Sequence, residues 1–342
     1  MIQGAHFAFM TGTPSTVGPE VDDGAMNDFL NRAKRLVFVG GAPRSGTTLV
    51  QNMLDSHPNI FGGPELLHIP DVVDLRTKFK NSIEREWIDS YLSKEVLDER
   101  IASFIENILL PVADKHGAEF ISEKTPQNVL AFSDLLELFP AAHFIQVIRD
   151  PRAIVCSMLQ VGSRAKEKGI KTAGFTNDLN SAIHYTKKCI DAGFAACRIA
   201  PERIHTVIYE KLVKDPEKES RLICQFLGIK WSENMVNPGR YQHSGENAIT
   251  KKSDFIWYDQ ASFRRDPDLK DVAKWQKFLS PRQQLAIARS FRGDENLLSL
   301  GYDFSPRGLS KSQCFLGYTL DFLNEARIST GRRLRSLVLR WT

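Results

Sequence analysis

The run RLVFVGG (35–41), the loop APRSGTT (42–48) and the stretch TTLVQNMLDS (47–56) follow one another along the chain. The first is a short apolar run bounded by glycines and reads as a strand buried on both faces. The third has helical spacing and ends at His57-Pro58, where the helical conformation is disfavoured. A strand that enters a helix through a glycine loop restricts the chain to parallel sheets with helices on both faces. The same succession recurs. EFISEK (119–124), HFIQVIRD (143–150) and RIHTVIYEKL (203–212) read as further strands. FSDLLELF (132–139) is a helix stopped by Pro140, and DPRAIVCSML (150–159) a helix with Asp150 as N-cap and Pro151 at its first position. The segments 175–200 and 215–229 continue the alternation, the second closed by Gly228.

The loop has the spacing of a phosphate-binding loop without its lysine. Gly41 and Gly46 stand where G-x-x-x-x-G-K-[ST] requires glycine, but Thr47 occupies the lysine position. Backbone N–H groups at a helix N-terminus favour an anion, Thr47 and Thr48 add hydroxyl donors, and Arg44 adds charge. Without the lysine, the loop suits a β,γ-phosphate with Mg²⁺ poorly. It still suits a 5′-phosphate or a phosphosulfate.

In an open parallel sheet, ligands bind beyond the carboxyl ends of the strands. The residues that follow the four strands are APRSGTT, then Glu123, Lys124 and Thr125, then Arg149 and Asp150, then Tyr209 and Glu210. Cations and hydroxyl donors recur at the place where one ligand would sit. Asp150 reads as a helix cap and His57 as packing at a helix end, while His68 is open to an acceptor-facing role.

PRSGTT after a buried strand, followed about a hundred residues later by IRDPRAIVCSM, resembles the sulfotransferases that use 3′-phosphoadenosine 5′-phosphosulfate (PAPS). The resemblance covers roughly residues 36–230 and extends toward 303. It is strongest to the branch holding the tyrosylprotein sulfotransferases and related bacterial enzymes. It implies an α/β fold with a P-loop NTPase-like parallel sheet flanked by helices. By the same resemblance Pro43, Arg44, Ser45, Gly46, Thr47 and Thr48 bind the 5′-phosphosulfate, and Arg149 and Ser157 the 3′-phosphate. Tyr209, in VIYEKL, packs near adenine. Glu65, in LDSHPNIFGGPE, corresponds to the general base, and Lys124, in SEKTP, to the lysine that stabilises the leaving phosphate, with Arg44 also at the reacting end. No metal is expected. Where the tyrosylprotein enzymes carry a threonine and an arginine for peptide substrates, this chain has Leu66 and Leu67. A carbohydrate, lipid, small-molecule or tyrosyl hydroxyl therefore stays open as acceptor, as do a P-loop kinase and a nucleotide-binding module without catalysis.

Composition adds limits. The 342 residues carry a net charge of +4, too little to mark a nucleic-acid binder. Five scattered cysteines, with no C-x-x-C, read as free thiols of a reducing compartment. No signal peptide and no apolar run of membrane-spanning length is expected, which places the protein in the cytoplasm. The organisation expected is a leader over 1–33, a sulfotransferase domain over 34–308 and a basic helical tail over 309–342. Within the domain, the polar, irregular residues 232–270 read as a mobile lid. Arg264, Arg265 and Lys274 are open to cofactor contact or to a solvated face. The tail has five arginines after Glu325 and no acid. It is open to packing as a terminal helix, to peripheral contact with an anionic membrane and to docking on a partner, and a homodimer is left open.

Overall fold

Successive side chains of a strand point to opposite faces, and both faces of Leu36–Gly41 (β1) are apolar. Leu36 and Phe38 join Phe132, Phe139 and Phe144 in one core, while Val37 and Val39 join Val50, Met53, Ile145 and Val207 in another. β1 is thus the middle of a sheet, with helices against either side. The structure, a computed structural model, describes residues 23–245, 256–257 and 266–305. The leader before Asp23, the positions 246–255 and 258–265 of the expected lid, including Arg264 and Arg265, and the tail from 306 lie outside the described residues.

The elements follow in the order Asp23–Ala33 (α1), β1, Thr47–Asp55 (α2), Ile60–Gly62 (β2), Ile69–Glu84 (α3), Lys94–Lys115 (α4) and Phe120–Lys124 (β3). Then come Phe132–Leu138 (α5), His143–Ile148 (β4), Pro151–Glu167 (α6), Leu179–Ile199 (α7), Ile204–Ile208 (β5), Tyr209–Lys214 (α8) and Pro216–Leu227 (α9). Trp275–Phe278 (α10), Pro281–Phe291 (α11) and Glu295–Ser299 (α12) complete the described helices. The strands pair in the order β2-β3-β1-β4-β5, and every pairing is parallel. The carboxyl ends of all five therefore open on one edge. The α/β architecture expected from the apolar runs is the one observed.

The structure departs from the sequence reading in several places. The fifth strand, β2, is an edge strand of three residues that no pattern announces. RIHTVIYEKL divides at Ile208, since Tyr209 opens a helix. DVAKWQKFL (271–279), whose apolar spacing predicts a helix, is α-helical only over the four residues of α10, after a 3₁₀ turn over Leu269–Asp271. Among the described residues no helix is long and apolar enough to cross a membrane.

The α3–α4 hairpin is fastened to α5 by charge. Arg76 is fully buried, and its guanidinium donates to Asp98 at 2.6 and 2.8 Å, to Asp134 at 2.9 Å and to Glu137 at 2.9 Å. One cation on α3 thus gathers three carboxylates from two other helices, α4 and α5. Removing it leaves them facing one another around a void. Arg76→Ala is expected to destabilise the fold by about 3 kcal/mol, read from its urea-unfolding midpoint; a midpoint within error of wild type would show that the carboxylates relax into solvent without loss.

Candidate functional site

The loop after β1 turns through two residues with positive φ, Arg44 at 77° and Gly46 at 104°. Glycine is required at the second. A Cβ on Gly46 would stand 2.4 Å from the ring of Tyr209, the first residue after β5. That ring also carries the Arg149 guanidinium, with Cζ 4.2 Å from the ring centroid. Arg149 also donates through Nη1 to the Arg44 carbonyl at 3.2 Å. Tyr209 is therefore buried against both the loop and Arg149, the residue that follows β4.

The turn delivers the first N–H groups of α2 to the open edge of the sheet. These have no partner within the helix and carry its positive end. Ser45 lies under them, fully buried, and its hydroxyl has no hydrogen-bond partner among the described residues. An unpaired buried hydroxyl beside a helix N-terminus is a donor awaiting an acceptor. Ser157 faces the loop from α6, and its hydroxyl accepts a hydrogen bond from Arg44 Nε at 3.0 Å. Arg44 Nη1 donates to the Trp257 carbonyl at 2.7 Å. Pro43, Thr47 and Thr48 complete the turn, and the Thr48 hydroxyl accepts from Lys124 Nζ at 3.3 Å.

Lys124 ends β3, next to β1. Its ammonium forms an ion pair with Glu65, which lies in the loop after β2. The lysine side chain is 5% exposed and the glutamate 25%. The structure thus assembles the expected residues into two groups on either side of the loop: Arg44, Arg149, Ser157 and Tyr209 on one, Glu65, Lys124 and Thr48 on the other. Arg44, expected with both groups, has its guanidinium in the first. Asp150 caps α6 as expected, accepting from Arg152 N–H at 2.8 Å. His57 packs at the end of α2, with Nε2 2.8 Å from the Lys230 carbonyl. His68 is exposed beside Asp71.

Several residues to which the sequence reading gave no role of their own hold these groups in place. Glu210 accepts the Asp150 N–H at 2.9 Å and the Tyr302 hydroxyl at 2.6 Å, tying the start of α6 to the end of the described chain. Gln51 donates to the Gly63 and Ser122 carbonyls. Glu123, the neighbour of Lys124, is 2% exposed. Its carboxylate accepts from Leu66 N–H at 3.0 Å, from the Thr125 hydroxyl at 2.7 Å and from Asn128 Nδ2. One signal for it stood in the sequence: a second charged residue at the end of a strand buried on both faces.

Burial pushes the Glu123 carboxyl up to about 7, against the pull of its donors and of Lys124. The folded chain then keeps a proton that an unfolded glutamate, near 4.5, has lost, so stability falls as pH rises between those values. Glu123→Gln has no proton to lose and is expected to weaken less between about pH 5 and pH 8, by on the order of 2 kcal/mol. Urea unfolding of both proteins at the two pH values checks this; equal slopes would show that Glu123 does not titrate in that window.

The model of the Sulfotransferase family matches residues 37–233. A putative protein-tyrosine sulfotransferase of Caenorhabditis briggsae is 30% identical over 267 residues, which cover 73% of this chain and 90% of that protein. Protein-tyrosine sulfotransferase 1 of Homo sapiens is 32% identical over 237 residues, 67% of this chain and 60% of that protein. The Drosophila melanogaster protein-tyrosine sulfotransferase is 35% identical, but the match covers only 40% of its length. The chain thus spans nearly all of the first relative and about half of the others. Among solved structures, the sulfotransferase domain of the olefin synthase of Synechococcus PCC 7002 superposes with a TM-score of 0.50. The two are 21% identical, and the match covers 78% of this chain and 94% of that domain, a likeness of fold.

Proposed function

The chain belongs to the sulfotransferase family, and from that premise we propose that it transfers a sulfuryl group from PAPS to an acceptor hydroxyl. The observation that carries the reading is the contact of Glu65 with Lys124, and of Lys124 with Thr48 at the first turn of α2. A proton acceptor and a cation meet there at the rim of an anion-binding turn.

The donor nucleotide supplies an activated sulfur: the acceptor oxygen bonds to it as the bond to the bridging phosphate oxygen breaks, leaving 3′-phosphoadenosine 5′-phosphate. The residues present suit that exchange. The α2 N-terminus, the unpartnered Ser45 hydroxyl and the Thr47 and Thr48 hydroxyls offer hydrogen bonds to the 5′-phosphosulfate. Arg149 and Ser157 hold the 3′-phosphate, with Arg44 bridging from the loop to Ser157. Glu65 takes the proton of the acceptor hydroxyl. Lys124 offsets the charge that gathers on the bridging oxygen. The chemistry is positioning and electrostatics, as in phosphoryl transfer, and a sulfuryl group carries less charge than a terminal phosphate.

The names of the relatives make a tyrosine peptide the first acceptor to try, and a carbohydrate, lipid or small-molecule hydroxyl the next. The decisive measurement is titration with 3′-phosphoadenosine 5′-phosphate, AMP and ATP, each with and without Mg²⁺. Binding of the first is expected without metal, and Arg149→Ala is expected to weaken it about tenfold to a hundredfold. Glu65→Gln should keep that affinity and lower transfer of labelled sulfuryl by about a hundredfold or more. Equal affinity for AMP, or binding that requires ATP and Mg²⁺, would refute the reading.

A further inference from the structure

Glu65 belongs to no helix or strand. It lies in residues 63–66, between β2 and α3, and a side chain on such a loop keeps its place only if the backbone to either side is held. Before Glu65, Gly62 N–H donates to Asp55 Oδ1 at 2.6 Å and Gly63 N–H to the Ser122 carbonyl at 3.3 Å. Gln51 Nε2 donates to the Gly63 carbonyl at 3.1 Å. After Glu65, the very next N–H, that of Leu66, donates to Glu123 Oε1 at 3.0 Å. Two consecutive residues of β3 therefore hold two consecutive residues of the loop. Lys124 holds the Glu65 carboxylate directly, and Glu123 holds the backbone that follows it.

Nothing in the pairing of β3 asks for a carboxylate here. Its partners are the loop after β2 and the turn after β3, where Thr125 and Asn128 donate to it. A carboxyl group buried this deeply costs free energy that an apolar side chain would not. What the carboxylate adds is an acceptor for Leu66 N–H that is itself fixed by two other donors, and hence a rigid one.

We propose that Glu123 is a positioning residue for the transfer reaction: by accepting the Leu66 N–H it fixes the loop segment that carries Glu65 against Lys124. The proposal rests on the sulfuryl-transfer reading above. A displacement of a reacting group by about 1 Å can cost about a hundredfold in rate, so the hold is worth much to turnover and little to nucleotide affinity.

The test compares wild type, Glu123→Ala and Glu123→Gln in the full chain. Three quantities are read: hydrogen–deuterium exchange, affinity for 3′-phosphoadenosine 5′-phosphate, and labelled-sulfuryl transfer from PAPS to a tyrosine peptide. In Glu123→Ala, exchange is expected to rise over 60–68 and stay unchanged over 40–48. Turnover should fall about thirtyfold or more, with nucleotide affinity within about twofold. Glu123→Gln keeps an oxygen for Leu66 N–H and should return turnover to within about threefold of wild type. Unchanged exchange over 60–68 in Glu123→Ala, or turnover within twofold of wild type, overturns the proposal. So does a joint loss of affinity and turnover with faster exchange throughout, which marks a general defect of folding. A wild-type protein that binds no nucleotide and transfers nothing refutes the sulfuryl-transfer reading instead, and exchange over 60–68 still decides whether Glu123 holds the loop.

Discussion

The site depends on how closely β1 is gripped at its carboxyl end. A Cβ on Gly41 would stand 2.5 Å from the Val147 carbonyl of β4 and 2.8 Å from the Ser45 hydroxyl. There is no room for one, so the strand ends in glycine and the loop leaves it already pressed against its neighbour. From there the chain has few routes. Arg44 takes the left-handed conformation, an uncommon one for a residue with a side chain, and Gly46 follows against the Tyr209 ring. Strain of this kind persists only where the surroundings over-determine it. Here they do: the Val147 carbonyl of β4, Arg149 and Tyr209 all pack against the turn.

That packing divides the charges. On the side of β4 and β5 stand two arginines, one hydroxyl and a ring. On the side of β2 and β3 stand a lysine and a glutamate. The strand order β2-β3-β1-β4-β5 produces this division, because β1 has a neighbour on each hand and each neighbour ends in a cation. Lys124 closes β3 and Arg149 follows β4. A ligand with an anionic group at each end, and a reacting centre near one of them, would lie across the turn with both ends met. A single phosphate would engage only one side.

The sheet was legible because parallel strands buried on both faces are apolar throughout, and four of the five announce themselves by composition. The turn and the cations after the strands were legible for the same reason, since they punctuate those runs. β2 was not, because three residues at an edge make no pattern. α3 was not, because its buried side carries Ile69, Val73, Arg76 and Ile83. An arginine in the middle of that stripe destroys the periodicity that marks a helix, and only the three carboxylates around it explain its place. The contacts of Glu123 escaped for a related reason. Its partners lie 57, 2 and 5 residues away, and the distant one is a backbone N–H, which leaves no trace in the identity of Leu66.

The position that a phosphate-binding loop gives to lysine is held here by Thr47, yet an ammonium still reaches the first turn of α2. It comes from β3, the neighbour of β1, through Lys124 and the Thr48 hydroxyl. The change of origin has a physical consequence. A lysine on the loop reaches forward over a chain of phosphates. A lysine on the adjacent strand reaches sideways into the turn and there also meets a group from the next loop along, which here is Glu65. Charge on the turn and a proton acceptor at its rim are then fastened by one side chain. Such an arrangement suits a reaction in which a proton leaves one oxygen while charge builds on another nearby, and it serves a terminal phosphate poorly. Moving the lysine by one strand is therefore what sets a carboxylate beside an anion-binding turn.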